Sequence, residues 1–94
     1  MAKAIWQGKV LAESDKTILI EGNAYFPPDS IQGGYLKETD HHTTCPWKGE
    51  ASYFDIEVDG NVNPNAAWVY KAPKEAAKEI KGYIAFWKGV AVSD

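Results

Sequence analysis

Cys45, Lys48 and the pair His41-His42 are the residues of this chain whose types and spacing suit chemistry. The stretch TTCPWKGEASYFD, Thr43 to Asp55, sets the only cysteine, a proline, a tryptophan and a lysine in consecutive positions just after the two histidines. A cysteine reacts as its thiolate, and a neighbouring ammonium or imidazolium favours that form. Cys45 is therefore a candidate nucleophile; the alternative is a small buried hydrophobe beside a proline turn. Lys48 is the second candidate catalytic residue, acting covalently or steadying a transferring phosphoryl group. As a binding residue it would hold an anion as a point charge, and otherwise it is a surface lysine. An imidazole of His41 or His42 suits acid or base work near neutrality. Adjacent residues of an extended segment point to opposite sides, so at most one of the two faces a given pocket. The Cys-Pro-Trp-Lys sequence lacks the second cysteine that dithiol exchange requires. A structural zinc site wants four ligands, usually as two spaced pairs. This chain offers one cysteine and one pair of adjacent histidines, so neither a metal nor any other cofactor is expected.

The aromatic residues divide. Phe54 and Phe86 alternate with apolar residues and read as core. Tyr25, Trp47, Tyr53 and Trp68 stand apart from that pattern. Tyr53 lies on the strand face that also carries Asp55 and Glu57, and Trp68 shares a face with Tyr70. Rings on the polar side of a sheet either cover a small second core or line a stacking pocket for a planar ligand.

Positioning such a site falls to a small fold. Ninety-four residues make one domain, 1–94, near the lower end of what folds alone. Four Trp, five Tyr and three Phe help a small core, because large rings bury much area per residue. One cysteine forms no intramolecular disulfide, which fits a reducing, cytoplasmic setting. MAKAIWQGKV has no apolar h-region, so no signal peptide is expected. No apolar run approaches the roughly 20 residues that span a bilayer. The net charge is −3, and all ten basic residues are Lys. Without Arg, the usual bidentate reader of guanine and phosphate, no nucleic-acid partner is expected, and no membrane partner either.

Alternation with period two dominates the front half. Gly8–Glu13 and Thr17–Glu21 read as a hairpin around Ser14-Asp15-Lys16, with Ile18 and Ile20 on one face of the second strand. A short strand follows at Tyr35–Glu38. Thr39–Gly49 lacks periodicity and reads as a loop. Ala51–Val58 is the clearest strand, with Phe54, Ile56 and Val58 facing one way. Asp59-Gly60 is a hairpin turn. The returning strand is broken by Pro64 and resumes at Ala66–Tyr70. Pro73–Ile80 reads as one short C-terminal helix, stopped by Gly82. Tyr83–Trp87 is helix or strand, its aromatic and β-branched content favouring strand. The chain is thus expected to be mainly β, a compact antiparallel β-sheet domain, with a core of Ile18, Ile20, Phe54, Ile56, Val58, Val69, Ile80 and Phe86.

Four stretches carry a resemblance over nearly the whole chain: Glu21 to Pro27, Thr44 to Phe54, Ala66 to Tyr70, and Ala76-Ala77 on through Ile80 to Phe86. In order and spacing they resemble the bacterial family catalogued as domain of unknown function 427. The resemblance implies a small β domain related to the Mss4-like or β-tent group. Members of that wider group bind zinc through two Cys pairs, or bind small molecules in an aromatic cage. This chain lacks the Cys pairs, which leaves the cage. The family also carries a nucleotidyltransferase label, but the chain has no Gly-rich phosphate loop and no acidic pair at metal-binding spacing beside a Gly-Ser signature.

The expected function is the binding of a small planar or anionic molecule in an aromatic pocket. Its ligand-binding set is Glu21, Asn23, Tyr25, His42, Cys45, Trp47, Lys48, Tyr53 and Trp68. The alternatives are an enzyme, nucleotidyltransferase-like or dependent on Cys45 and Lys48, and a ligand-free interaction module. The chain is expected to be a monomer or a weak homodimer. Pro46 biases Cys45 toward extended backbone, and Gly49 permits a sharp bend. The Cys45–Gly49 loop is therefore expected to be ordered, with Trp47 in an apolar seat and Lys48 exposed.

Overall fold

The computed structural model describes residues 1–94. Nine strands follow in chain order: β1 (Ala2–Trp6), β2 (Lys9–Ser14), β3 (Ile18–Ile20), β4 (Asn23–Tyr25), β5 (Leu36–Cys45), β6 (Gly49–Val58), β7 (Asn61–Val69), β8 (Ile84–Phe86) and β9 (Ala91–Ser93). They form three antiparallel sheets, ordered β2-β1-β9, β3-β4 and β5-β6-β7-β8. A bridge between Phe26 and Ile84 ties the β3-β4 hairpin to the four-stranded sheet. The fold is mainly β and antiparallel, and no helix is long and apolar enough to cross a membrane.

Three hairpins turn on residue pairs with positive φ: Gln7-Gly8 (51° and 73°), Glu21-Gly22 (53° and 81°) and Asp59-Gly60 (51° and 81°). Two-residue turns of this hand match the twist of the strands they join. Their positions correct the expected pairing at the N-terminus. β2 pairs with β1, and β3 pairs with β4, not with β2. Ser14-Asp15-Lys16 contains no positive φ; the Lys16 amide donates to Ser14 Oγ at 2.9 Å, and the chain turns a corner between sheets.

Two further expectations are corrected. Thr39–Cys45 is not loop but the outer half of β5, and only Pro46, Trp47 and Lys48 lie between the strands. β5 is an edge strand and most of its residues are exposed on both faces, so no alternation marks it. The register slips between Glu38 and His42. The C-terminal helix is a 3₁₀ segment, Glu75–Ile80, interrupted at Ala77 (φ −121°). Its two buried residues, Ala77 and Ile80, are three apart, the spacing that 3₁₀ geometry places on one side. Tyr83–Trp87 contains strand, β8, and Pro64 sits within β7 at a bulge: Asp55 faces the three residues Pro64 to Ala66, and the Asn65 amide donates to the Asp55 carboxylate at 2.8 Å.

The four-stranded sheet buries both faces. One packs with β1 and β2 in a cluster that includes Leu11, Phe26, Ile56, Val58, Val69 and Phe86. Leu11 and Phe26 are fully buried members of it outside the expected core. The other face holds Ala51, Tyr70 and Ala85 against Tyr25 of β4 and the 3₁₀ residues Ala77 and Ile80. Ile18, Ile20 and Phe54, expected in the core, are partly buried at its margins. The alternation read in β6 therefore separates the two clusters: Ile56 and Val58 face the first, Ala51 and Tyr53 the second.

Candidate functional site

The second face opens into a cavity of about 280 Å³ lined by Asn23, Tyr25, Lys48, Tyr53, Trp68, Tyr70 and Trp87. The strand ladder places its walls. Tyr53 on β6 lies directly opposite Trp68 on β7, which lies opposite Ala85 on β8. Tyr70 follows Trp68 by two residues and so projects from the same side. Trp68 stands at the centre of the rings. Its neighbours are Tyr25 (centroids 6.2 Å apart, 88° between planes), Trp87 (5.8 Å, 80°) and Tyr53 (6.4 Å, 37°). Edge-to-face contacts of this kind favour fixed ring positions. The Trp68 indole N–H donates to the Tyr25 hydroxyl at 3.2 Å, and the Trp87 indole donates to the Asn65 carbonyl at 2.7 Å. The bulge that presents that carbonyl thus fixes a ring of the cavity from outside it.

Lys48 is the only charged residue on the lining, and it is buried, with 6% of its surface exposed. Trp47 is 39% exposed. Expectation is reversed at both positions. The tip of the β5–β6 hairpin docks against the segment before the 3₁₀ turn. The Lys74 amide donates to the Lys48 carbonyl at 2.9 Å, and Lys74 Nζ to the Pro46 carbonyl at 2.7 Å. Gly49 suits this tip through its φ of 109°, a conformation that L residues rarely adopt; the space itself would admit a Cβ in ordinary contact with the Lys74 nitrogen at 3.4 Å. The loop is ordered by backbone contacts, and the lysine turns inward. Its Nζ lies 5.0 Å from the Trp47 ring centroid and 5.8 Å from that of Tyr70, and it is paired with the Glu21 carboxylate.

Burial is the strongest influence on Lys48 and opposes its charge, but the hydrogen bond with Glu21 and the charge interactions with Tyr70, Tyr25 and Cys45 together outweigh it, and the ammonium titrates above its ordinary value. Lys48 foremost holds the Glu21 carboxyl below its ordinary range. The pair is charged at neutral pH. Glu21's contribution to stability is present above its ordinary titration range and is lost as pH falls through its lowered value. That of Lys48 is complete below its ordinary value and is lost as pH rises through the raised one. Burial pushes the Tyr70 phenol up to about 12, and Tyr25 also moves up for that reason. Both are neutral hydroxyls near neutral pH. The Tyr70 hydroxyl, on a residue only 6% exposed, makes no hydrogen bond within the protein.

Of the residues expected from sequence, Asn23, Tyr25, Lys48, Tyr53 and Trp68 line this one cavity. Glu21 and Trp47 contact Lys48 without lining it. His42 is elsewhere: it is exposed, with Nδ1 3.3 Å from Ser52 Oγ. The neighbouring His41 packs on Tyr53 instead, with ring centroids 4.7 Å apart. Tyr70 and Trp87 were absent from the expected set. The shared face with Trp68 pointed to Tyr70, whereas nothing local to Trp87 marked it. No group of three or more His, Cys, Asp and Glu side chains is placed to hold a metal ion.

The family model described as domain of unknown function (DUF427) matches residues 1–93. The chain belongs to the DUF427 family. No curated protein matches it.

Cys45 closes β5 beside the second cluster, partly buried and outside the cavity lining. Burial pushes its thiol up, but the backbone amides of Lys48 and Trp47 and the Lys48 ammonium outweigh it, so the thiol titrates below its ordinary value. Alkylation of Cys45 is expected to follow a pH profile displaced to lower pH than that of an unperturbed thiol. Lys48→Met should move the profile back up and slow the reaction at neutral pH. Iodoacetamide kinetics across pH check this. An ordinary thiol profile, unmoved by Lys48→Met, would show that the ammonium does not act on the sulfur.

Proposed function

We propose that this DUF427 domain binds a small planar molecule in the aromatic cavity around Trp68. One observation carries the reading: Tyr25 of β4, Tyr53 of β6, Trp68 of β7, Tyr70 just after β7 and Trp87 just after β8 meet with a single buried ammonium around one space. Rings crossed at 80–88° hold the cavity wall in fixed positions, and the polar groups would fix the orientation of a flat guest. The volume of about 280 Å³ is just below the usual range for ligand cavities of about 300–1,000 Å³, which suits one ring or a small bicycle. The cysteine usage fits a cytoplasmic protein. The test is a titration with benzoate, benzamide, nicotinate, nicotinamide and uracil, followed by tryptophan emission. Saturable quenching by at least one of these, lost in Trp68→Ala, is expected. No saturable response to any of them would refute the reading.

A second reading has one observation behind it. Cys45 is a free, partly buried thiol at the end of β5, next to the hairpin tip that carries Lys48, and this setting supports the thiolate as a nucleophile in covalent chemistry. The alkylation profile described above is its first test.

A further inference from the structure

Lys48 and Glu21 form an ion pair whose two members differ in freedom. The lysine side chain is 8% exposed, held between the Trp47 and Tyr70 rings, and its backbone carbonyl is pinned by Lys74. The Glu21 side chain is 53% exposed and leaves from a two-residue turn. If the pair opens, the carboxylate moves into water and the ammonium stays. A buried ammonium left without a partner is costly, so an opening is favoured when another anion takes the vacated place. Lys48 belongs to the cavity lining and Glu21 does not, so an anion that replaces Glu21 would come from the cavity. Tyr70, a residue only 6% exposed, adds a hydroxyl that has no partner in the protein and whose oxygen is open to solvent.

Resting on the reading of the cavity as a ligand site, we infer that Glu21 occupies the place of a ligand carboxylate at Lys48, and that the site takes planar monocarboxylates by exchanging one carboxylate for the other. The charge balance sets the class. One carboxylate for one carboxylate leaves the site as neutral as before. A phosphate dianion would bring a second negative charge to a lining with one cation and to a chain with no arginine. An uncharged ring gains nothing from Lys48 and leaves Glu21 in place. The ring of the ligand lies among Trp68, Tyr53 and Trp87, and the neutral Tyr70 hydroxyl donates to the second carboxylate oxygen. Glu21 then acts as a tethered competitor that sets a threshold concentration for binding.

Affinities of benzoate and benzamide for the wild type, Glu21→Gln and Glu21→Asn test this, with thermal melts showing that each variant is folded. Asn suits the positive φ at this position and is the second variant should Gln perturb the turn. Removing a competitor that occupies the site about nine-tenths of the time raises apparent affinity about tenfold. Benzoate is therefore expected to bind about tenfold tighter to the Glu21 variants, and benzamide within about twofold of wild type. Equal or weaker benzoate binding in both variants would overturn the inference, and so would an equal gain for benzamide. If benzamide binds and benzoate does not, the inference fails while the cavity reading stands. If neither binds any form, the inference falls, and the cavity reading falls with it only when nicotinate, nicotinamide and uracil also give no saturable response.

Discussion

Replacing Phe26 with Ala is expected to cost about 3–5 kcal/mol of stability, the range for truncating a buried large ring. Phe26 is fully buried and meets Phe86 edge to face, centroids 5.7 Å apart. Its backbone exchanges two hydrogen bonds with Ile84, of 2.8 and 2.9 Å, and these join the β3-β4 hairpin to the large sheet. The truncated ring would leave a void at the junction that seats Tyr25, Asn23 and Glu21. Domains of this kind have about 5–15 kcal/mol in total, so the variant would lose a large part of its reserve. Leu19→Ala is the control: Leu19 is 73% exposed on the adjacent strand and should change stability by less than about 0.5 kcal/mol. Urea titrations of the two variants give the comparison. A Phe26→Ala loss no larger than that of Leu19→Ala would mean that the hairpin does not depend on this contact.

Trp68→Ala is expected to have the largest effect on binding. The ring touches Tyr25, Tyr53 and Trp87, so its removal both deletes a stacking surface and frees three neighbours. A central aromatic anchor is typically worth about 2 kcal/mol or more, equivalent to a loss of about 30-fold in affinity. Trp68→Phe keeps a flat surface and should recover part of it, which separates stacking from collapse of the site. Trp6, partly buried against the other core cluster, provides the contrast. Its replacement by Phe should leave affinity unchanged. Affinity for the tightest of the planar fragments, measured in folded variants, decides between these outcomes. Equal losses in the Trp68 and Trp6 variants would mean that stability, not contact, governs binding.

How far the sequence could be read follows from where its information lies. Ala51–Val58 was legible because its two faces meet different cores, so the alternation is real on both sides. Asp59-Gly60 was legible because the chemistry of a positive-φ turn is local. β1 left little mark, since its inward residues, Ala2 and Ala4, are small and barely distinguish a buried face. The outer half of β5, Thr39–Cys45, was missed because an exposed edge strand has no apolar side to reveal. The exchange of roles between Trp47 and Lys48 lies beyond local reading. Hydrophobicity favours burying the tryptophan, but the backbone of Lys74, distant in sequence, pins the tip so that the lysine faces Glu21 and Tyr70. Trp87 enters the cavity through a contact with the bulge at Asn65, a feature set by the register of two other strands. The grouping of Asn23, Tyr25, Lys48, Tyr53 and Trp68 came from the family resemblance, with their convergence left conditional; the fold sets all five on the lining of one cavity.

The most direct measurement of the central claim is ¹⁵N NMR of the tryptophan side chains during titration with the planar fragments. The chain has four Trp, and each indole N–H reports its own surroundings. Trp68 donates to Tyr25 inside the ring cluster, Trp87 donates to Asn65 at its edge, Trp47 lies beyond Lys48, and Trp6 packs on the opposite cluster. The expected result is a saturable shift of the Trp68 and Trp87 signals with a common dissociation constant, a smaller shift at Trp47, and none at Trp6. Signals that stay still with every fragment, or that move together at all four positions, would contradict the existence of a ligand site in this cavity.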